Sequence, residues 1–200
     1  CIRDRYNTFE KLMKAISKSL KKNDPNHLNL GIRYGYIEQL DDELLRISKE
    51  SFDALSFNCY ALSPDHEKMN HALEISGLPM IIGEYHFGTV DRGLAQSLWQ
   101  VNSQKERGDA FRYYTENAFA HRGLIGTGWF RWIDQNINGR TDGENYNCGF
   151  IDVTDRPYPY MVDAAIKTAK SLYEIHSGTK TPFHQAPNAV GHSPIPDLWE

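Results

Sequence analysis

Between residues 6 and 22 the apolar positions Phe9, Leu12, Met13, Ile16 and Leu20 recur at helical spacing, with basic residues between them. Asn23, Asp24, Pro25 and Asn26 then supply a stop and a turn. The run Leu28-Asn29-Leu30-Gly31-Ile32-Arg33 predicts a short strand, and Leu40, Leu44, Leu45 and Ile47 a second helical stripe. Ala54-Leu55-Ser56-Phe57-Asn58-Cys59-Tyr60 predicts the next strand, followed by a helix over 65–76 that Gly77 breaks. Leu78-Pro79-Met80-Ile81-Ile82-Gly83-Glu84 is the strongest strand signal, continuously apolar until it ends on a carboxylate. A long connection leads to a helix over 104–121, a fourth strand over 124–130, a polar Gly-rich loop and a helix over 158–176. From Ser177 onward the chain is rich in Pro, Gly and His and predicts an irregular tail.

Continuous apolar strands alternating with amphipathic helices imply an α/β fold with a parallel sheet covered by helices. Two architectures fit: a small doubly wound sheet, or half of an eight-stranded barrel, which needs about 250 residues when whole. No glycine-rich phosphate loop follows any strand, which weakens the nucleotide-binding version of the first. The 200 residues suffice for one domain, and 40% hydrophobic with 24% charged residues allows a sizeable core. Lys+Arg 22 against Asp+Glu 26 gives a net charge of -4 without long runs of one sign, so a nucleic-acid surface is not indicated. No apolar run reaches the roughly 18 residues of a membrane span. Cys1, Cys59 and Cys148 have no metal-site spacing and are too few for a disulfide framework. The chain opens on Cys rather than Met and enters a helical pattern almost at once, which reads as a cut or processed end. No cofactor or metal is implied. His66, Glu67 and His71 share one predicted helix without a third metal ligand at the right spacing, and His176, His184 and His192 fit a solvated tail.

Polar residues collect where the predicted strands end. Arg33 follows the first, Asn58 and Tyr60 close the second, Glu84 and His86 the third, and Trp129, Arg131 and Trp132 the fourth. Taken singly, an Arg there is commonly a salt-bridge partner and a Trp commonly core. Four coincident strand ends point instead to a site on the C-terminal face of a parallel sheet. Glu84 is the sharpest signal, because an apolar strand that delivers a carboxylate to its rim must find it partners. A rim salt bridge to Arg33 or Arg131 is the bland explanation. A nucleophile or general base held among donors such as Asn58, Tyr60 and His86 is the chemical one.

Asp24-Pro25-Asn26-His27-Leu28-Asn29-Leu30-Gly31-Ile32-Arg33, Ser56-Phe57-Asn58-Cys59-Tyr60 and Gly83-Glu84-Tyr85-His86-Phe87-Gly88 resemble the second half of a retaining glycoside hydrolase barrel. Gly128-Trp129-Phe130-Arg131-Trp132-Ile133-Asp134-Gln135 and Gly139-Arg140-Thr141-Asp142-Gly143-Glu144-Asn145-Tyr146-Asn147 narrow this to the β-agarases and their β-galactosidase-like relatives. The resemblance covers residues 6 to 176 and is most specific in the third and fourth strands. It implies that the chain is the C-terminal half, strands five to eight, of a (β/α)8 TIM barrel, with 1–176 as a partial catalytic barrel and 177–200 as a tail. In that family the Glu ending the seventh strand is the nucleophile, which falls on Glu84.

The family's acid/base Glu ends the fourth strand after an Asn. This chain has no Asn-Glu pair, and Glu144 precedes an Asn instead of following one. The resemblance therefore implies an acid/base outside this chain, on an N-terminal barrel half. Its implied reaction is double displacement, with two carboxyl groups about 5–5.5 Å apart. Asn58 and Tyr60 are then expected to hold the nucleophile or a sugar hydroxyl, and His86 to position the ring. Trp129 and Trp132 are expected to stack under a galactose unit, and Arg33, Asp134, Gln135, Glu144 and Asn145 to contact the sugar. The substrate implied is an agarose-like polysaccharide or oligosaccharide, for which a secreted or periplasmic setting is suitable although nothing in the chain marks one. A degenerate half barrel that binds polysaccharide without cleaving it is the alternative.

Overall fold

The computed structural model describes residues 2–191, with side chains from residue 4 onward; Cys1 and His192 lie outside the described residues. Helix α1 (Ile2–Asn23) is followed by β1 (Arg33–Tyr34), a 3-10 turn (Ile37–Gln39), α2 (Asp42–Ser51), β2 (Leu55–Asn58), α3 (His66–Ser76) and β3 (Met80–Tyr85). The chain continues through β4 (Trp99–Gln100), α4 (Gln104–Phe119), β5 (Leu124–Trp129), α5 (Pro159–His176) and β6 (Val190–Gly191). Four strands form one sheet in the order β1-β2-β3-β5, with β1 and β2 parallel and Arg33 opposite Ser56. The fold is mixed α/β with a parallel sheet. Its strands follow chain order without reversal, as in an arc of a (β/α)8 barrel; a doubly wound sheet reverses its order at a switch point.

Local chemistry sets the helix limits. Asp41, Asp65 and Ser103 each accept a hydrogen bond from a first-turn backbone N–H of α2, α3 and α4. Gly77 ends α3 in the left-handed conformation at φ 66°, where a side chain would be strained, and Pro159 opens α5 at a position that has no N–H partner to lose.

The chain divides into two compact units. The first holds, among the described residues, 2–59, 65–83 and 123–127, with Leu45, Ile47, Leu55, Phe57, Met69, Met80, Ile82 and Leu124 buried. Burial of each such side chain contributes about 1.5–3 kcal/mol. The second holds, among the described residues, 60–64, 84–122 and 128–191, where α4 packs on α5. Gly108 makes that approach close, since a Cβ there would sit 2.6 Å from the Tyr160 carbonyl oxygen.

Two expectations are corrected. Residues 28–32 form no strand, and Leu28 and Leu30 are exposed. The Asn29 side chain accepts from the Gly31 N–H at 3.1 Å and Gly31 takes φ +71°, so the backbone turns where an extended run was predicted. The tail is not wholly irregular either, because β6 pairs antiparallel with β4. The Phe183 N–H also donates to Glu116 at 2.8 Å, beneath the guanidinium of Arg112. Among the described residues no helix is long and apolar enough to cross a membrane, and no three His, Cys, Asp or Glu are grouped to hold a metal. His71 instead meets Asp42 at 2.8 Å and His176 meets the Phe119 carbonyl at 3.0 Å. Cys59 and Cys148 are buried thiols.

Candidate active site

Strand β3 alternates buried and half-buried from Met80 to Gly83, then slips by one, leaving Glu84 half-buried and Tyr85 buried. In the first unit, Gly83 makes room for its neighbours: a Cβ there would lie 2.3 Å from Arg33 Cδ and 3.3 Å from Asn58 Oδ1. The expected residues Arg33 and Asn58 thus converge on the glycine that precedes the carboxylate.

The second unit holds Glu84 and its surroundings. Tyr60 donates its hydroxyl to Glu84 Oε2 at 2.9 Å. Burial, and then the charge of Glu84, push the Tyr60 phenol far above its ordinary range, so it stays a donor wherever the protein is folded. His86 meets the Tyr60 ring edge-on at 4.9 Å and packs against Phe130 and Tyr146 at 5.8 Å each. Arg140 stands over the Phe130 ring at 5.7 Å. It is kept charged by Asp142 above all, with Glu144 and Glu84 adding to the effect.

Several residues expected on the sugar have other occupations. His86 is almost wholly buried; its Nδ1 faces the Phe130 carbonyl at 3.0 Å, and its Nε2 accepts from the Leu98 N–H at 3.1 Å. That pair of partners requires the neutral ring with the proton on Nδ1, and burial lowers the imidazole to about 3. Both nitrogens are occupied, so His86 braces Tyr60 and has no polar atom left for a sugar. Asp134 is buried: Oδ1 accepts from the Gly149 N–H at 2.7 Å, and Oδ2 from Tyr158 at 2.6 Å and Asn147 at 2.8 Å. Gln135 is likewise spent between Glu144, at 2.7 Å, and the Tyr146 N–H, at 2.6 Å. The Asn145 side-chain amide donates to the Ile137 carbonyl of its own loop at 3.4 Å, while its backbone carbonyl accepts from the Ala95 N–H at 3.1 Å. Glu144 is partly exposed, accepting from Gln135 and facing Arg140 at 3.3 Å.

The two tryptophans differ. Trp129 donates Nε1–H to the Cys148 carbonyl at 2.7 Å and packs edge-on against Tyr85, Phe111 and Phe150. Trp132 is 68% exposed and stacks on Phe150 at 6.0 Å with planes 18° apart, which leaves an aromatic face open. Sequence reasoning did not single out Phe130, Arg140 as the cation over it, Tyr146, or the buried Arg107. The Arg107 guanidinium donates to the carbonyls of Phe87 and Gly149 and to the side chains of Gln104 and Asn147. Tyr146 and Arg140 fall inside the family-like loop motif; Asp142 and Glu144 lie close to Arg140 in sequence, but the His86 ring that Tyr146 meets comes from 60 residues away.

A half-buried carboxylate held by a tyrosine at the end of an apolar strand, in a chain that also keeps an indole face in solvent, is a set of groups suited to a sugar. The chain is 37% identical over 166 residues to β-agarase A of Vibrio sp. (strain JT0107), and 35% identical over 170 residues to β-agarase B of the same strain. This is a β-agarase-like chain. The matches take in 80% and 82% of it. A solved agarase superposes with TM-score 0.78 at 36% identity and an exo-β-agarase with 0.78 at 33%, each over 84% of this chain. A β-galacturonidase from Eisenbergiella tayi shares the fold alone, at TM-score 0.56 and 16% identity. No family model matches. The β-agarase-like chain spans only 16% and 17% of the two curated relatives' length, and 26% and 23% of the two agarase structures.

Proposed function

We propose that this chain is the C-terminal half, strands five to eight, of a retaining glycoside hydrolase barrel that cleaves β-galactosidic bonds in agarose-like galactans. Residues 1–176 are then the partial catalytic barrel and 177–200 its tail. Glu84 attacks the anomeric carbon and forms a covalent glycosyl-enzyme. An acid/base carboxyl supplied from outside this chain, by an N-terminal barrel half, protonates the leaving oxygen and then activates water. The observation that carries this reading is the Tyr60 hydrogen bond to Glu84 at the end of β3, in a chain 37% identical to a β-agarase. Tyr60 fixes one carboxylate oxygen and so orients the nucleophile. Trp132 and its Phe150 stack offer the ring face against which a galactose unit lies. Glu144 already accepts from Gln135 and faces Arg140, so it is not assigned the acid's role.

The test uses this chain joined to an N-terminal barrel half. Glu84→Gly is expected to remove hydrolysis of an aryl β-galactoside, and added azide to restore release of the aryl alcohol with the α-galactosyl azide as product. Azide takes the place of the missing carboxylate and attacks from its side, and the bond to the aryl oxygen breaks. A variant that still hydrolyses the galactoside without azide contradicts the assignment. Binding of agaro-oligosaccharide by the assembled wild type with no turnover would establish the non-catalytic alternative.

A further inference from the structure

Gln135 is a polar side chain buried almost completely, with no part in the chemistry proposed above. It pairs twice with Tyr146: the Gln135 N–H donates to the Tyr146 carbonyl at 3.1 Å, and the Tyr146 N–H donates back to Gln135 Oε1 at 2.6 Å. Gln135 Nε2 donates to Glu144 at 2.7 Å, Glu144 faces Arg140 at 3.3 Å, and Asp142 accepts two guanidinium N–H bonds from Arg140. A buried amide whose donor and acceptor are both used fixes the groups at its two ends, because moving either strands a desolvated polar atom. One of those ends is the backbone of Tyr146, whose ring meets His86 edge-on at 5.8 Å. The two hydrogen bonds of His86 lie in the plane of its ring; they fix where the imidazole sits and leave its tilt about the line joining its nitrogens to the rings packed on it. The Tyr60 ring rests on that imidazole at 4.9 Å and carries the hydroxyl that donates to Glu84. All of these residues belong to the second unit.

We propose that Gln135 and Tyr146 are positioning residues for the nucleophile: together they set the tilt of the His86 ring, and through it the place of the Tyr60 hydroxyl on Glu84. The inference rests on Glu84 as the nucleophile and deepens that reading. It gives the family-like loop 139–147 a task behind the site, in place of the sugar contacts expected of Gln135 and Glu144. The loop lies close enough to the pair to act on it. The Tyr60 phenol is pushed up by burial and then by Glu84, and the charge of Glu144 adds to the effect. Arg140, held charged by Asp142 above all, also feels Glu84.

The test uses this chain joined to an N-terminal barrel half and a dinitrophenyl 2-deoxy-2-fluoro-β-galactoside. It reads the rate at which the Glu84 carboxylate bonds to the anomeric carbon as dinitrophenolate departs with the bonding pair, and it adds crystal structures of the same proteins. Tyr146→Ala and Gln135→Leu should each lower the maximal labelling rate about tenfold and leave the half-saturating concentration within about twofold of wild type. Tyr146→Phe, which keeps the ring, should recover most of the rate that Tyr146→Ala loses. Because the effect passes through the Tyr60 hydroxyl, adding Tyr146→Ala to Tyr60→Phe should slow labelling no further than Tyr60→Phe alone. In the crystals the Tyr60 hydroxyl should stand beyond about 3.5 Å from Glu84 in Tyr146→Ala and within reach of it in Tyr146→Phe. If Gln135→Leu does not fold, the Tyr146 series decides alone. Losses that multiply with Tyr60→Phe, a half-saturating concentration that rises while the maximal rate holds, or a Tyr60–Glu84 bond intact in Tyr146→Ala would overturn the proposal. The two claims fail separately. A wild type never labelled at Glu84, with the bond lost in Tyr146→Ala, removes the nucleophile and keeps the positioning. Labelling of Glu84 at the wild-type rate in Tyr146→Ala does the reverse.

Discussion

Tyr60 and His86 act on Glu84 in series, one by a hydrogen bond and the other by fixing the ring that makes it. A hydrogen bond to a charged group contributes about 1.5–3 kcal/mol. Tyr60→Phe in the assembled enzyme should therefore lower kcat/KM about 10- to 100-fold, while agaro-oligosaccharide affinity changes little; steady-state kinetics against isothermal titration separates the two. His86 yields a pH prediction of definite sign. Its folded value of about 3 lies below the ordinary 6.5, so the unfolded chain binds the proton first. The stability His86 contributes is complete above pH 6.5 and is lost as pH falls from there toward 3. His86→Gln keeps a donor and an acceptor without the titration, and denaturant midpoints measured across that interval should slope less than in wild type. The sequence marked Glu84 and Tyr60 because both stand at strand ends. It could not show that His86, Asp134 and Gln135 are taken up by protein partners, since the Phe130 carbonyl, Gly149 N–H and Glu144 that occupy them arrive from 44, 15 and 9 residues away.

At the scale of elements, apolar periodicity and turn chemistry made α3, α4, α5 and the core of β3 legible to within about two residues, whereas the stripe Leu40–Ile47 located α2 but not its bounds, Asp42–Ser51. The 28–32 run failed because an Asx turn and a left-handed glycine overrode its hydrophobic character. β6 was illegible because its two residues are extended only by pairing with Trp99–Gln100, a long-range contact with no local signature. Between β5 and α5, buried Arg107, Asn147, Asp134 and Tyr158 tie the loop to α4. Arg107 also lies 4.9 Å above the Tyr158 ring. Removing one member of a buried charged network leaves the others desolvated without partners. Arg107→Ala should cost about 3–5 kcal/mol of stability, read as a lowered urea midpoint.

At the scale of the whole molecule, the sequential strand order and the agarase superpositions agree on an arc of a barrel. Pattern alone left a doubly wound sheet open; the family-like strand ends and the absent glycine loop decided against it, and the strand order matches that choice. On the proposed reading, the same arc carries the nucleophile Glu84 and leaves the acid/base to the other half of the barrel. The most direct measurement offers a 2-deoxy-2-fluoro-β-galactoside with a dinitrophenyl leaving group to this chain, alone and joined to an N-terminal barrel half, followed by peptide mass spectrometry. The account predicts one fluorogalactosyl group on the peptide containing Glu84 in the joined protein, with none on Glu84→Gln and no galactoside turnover by the lone chain. A joined protein that hydrolyses agarose while the label falls on another carboxylate, or on none, contradicts it.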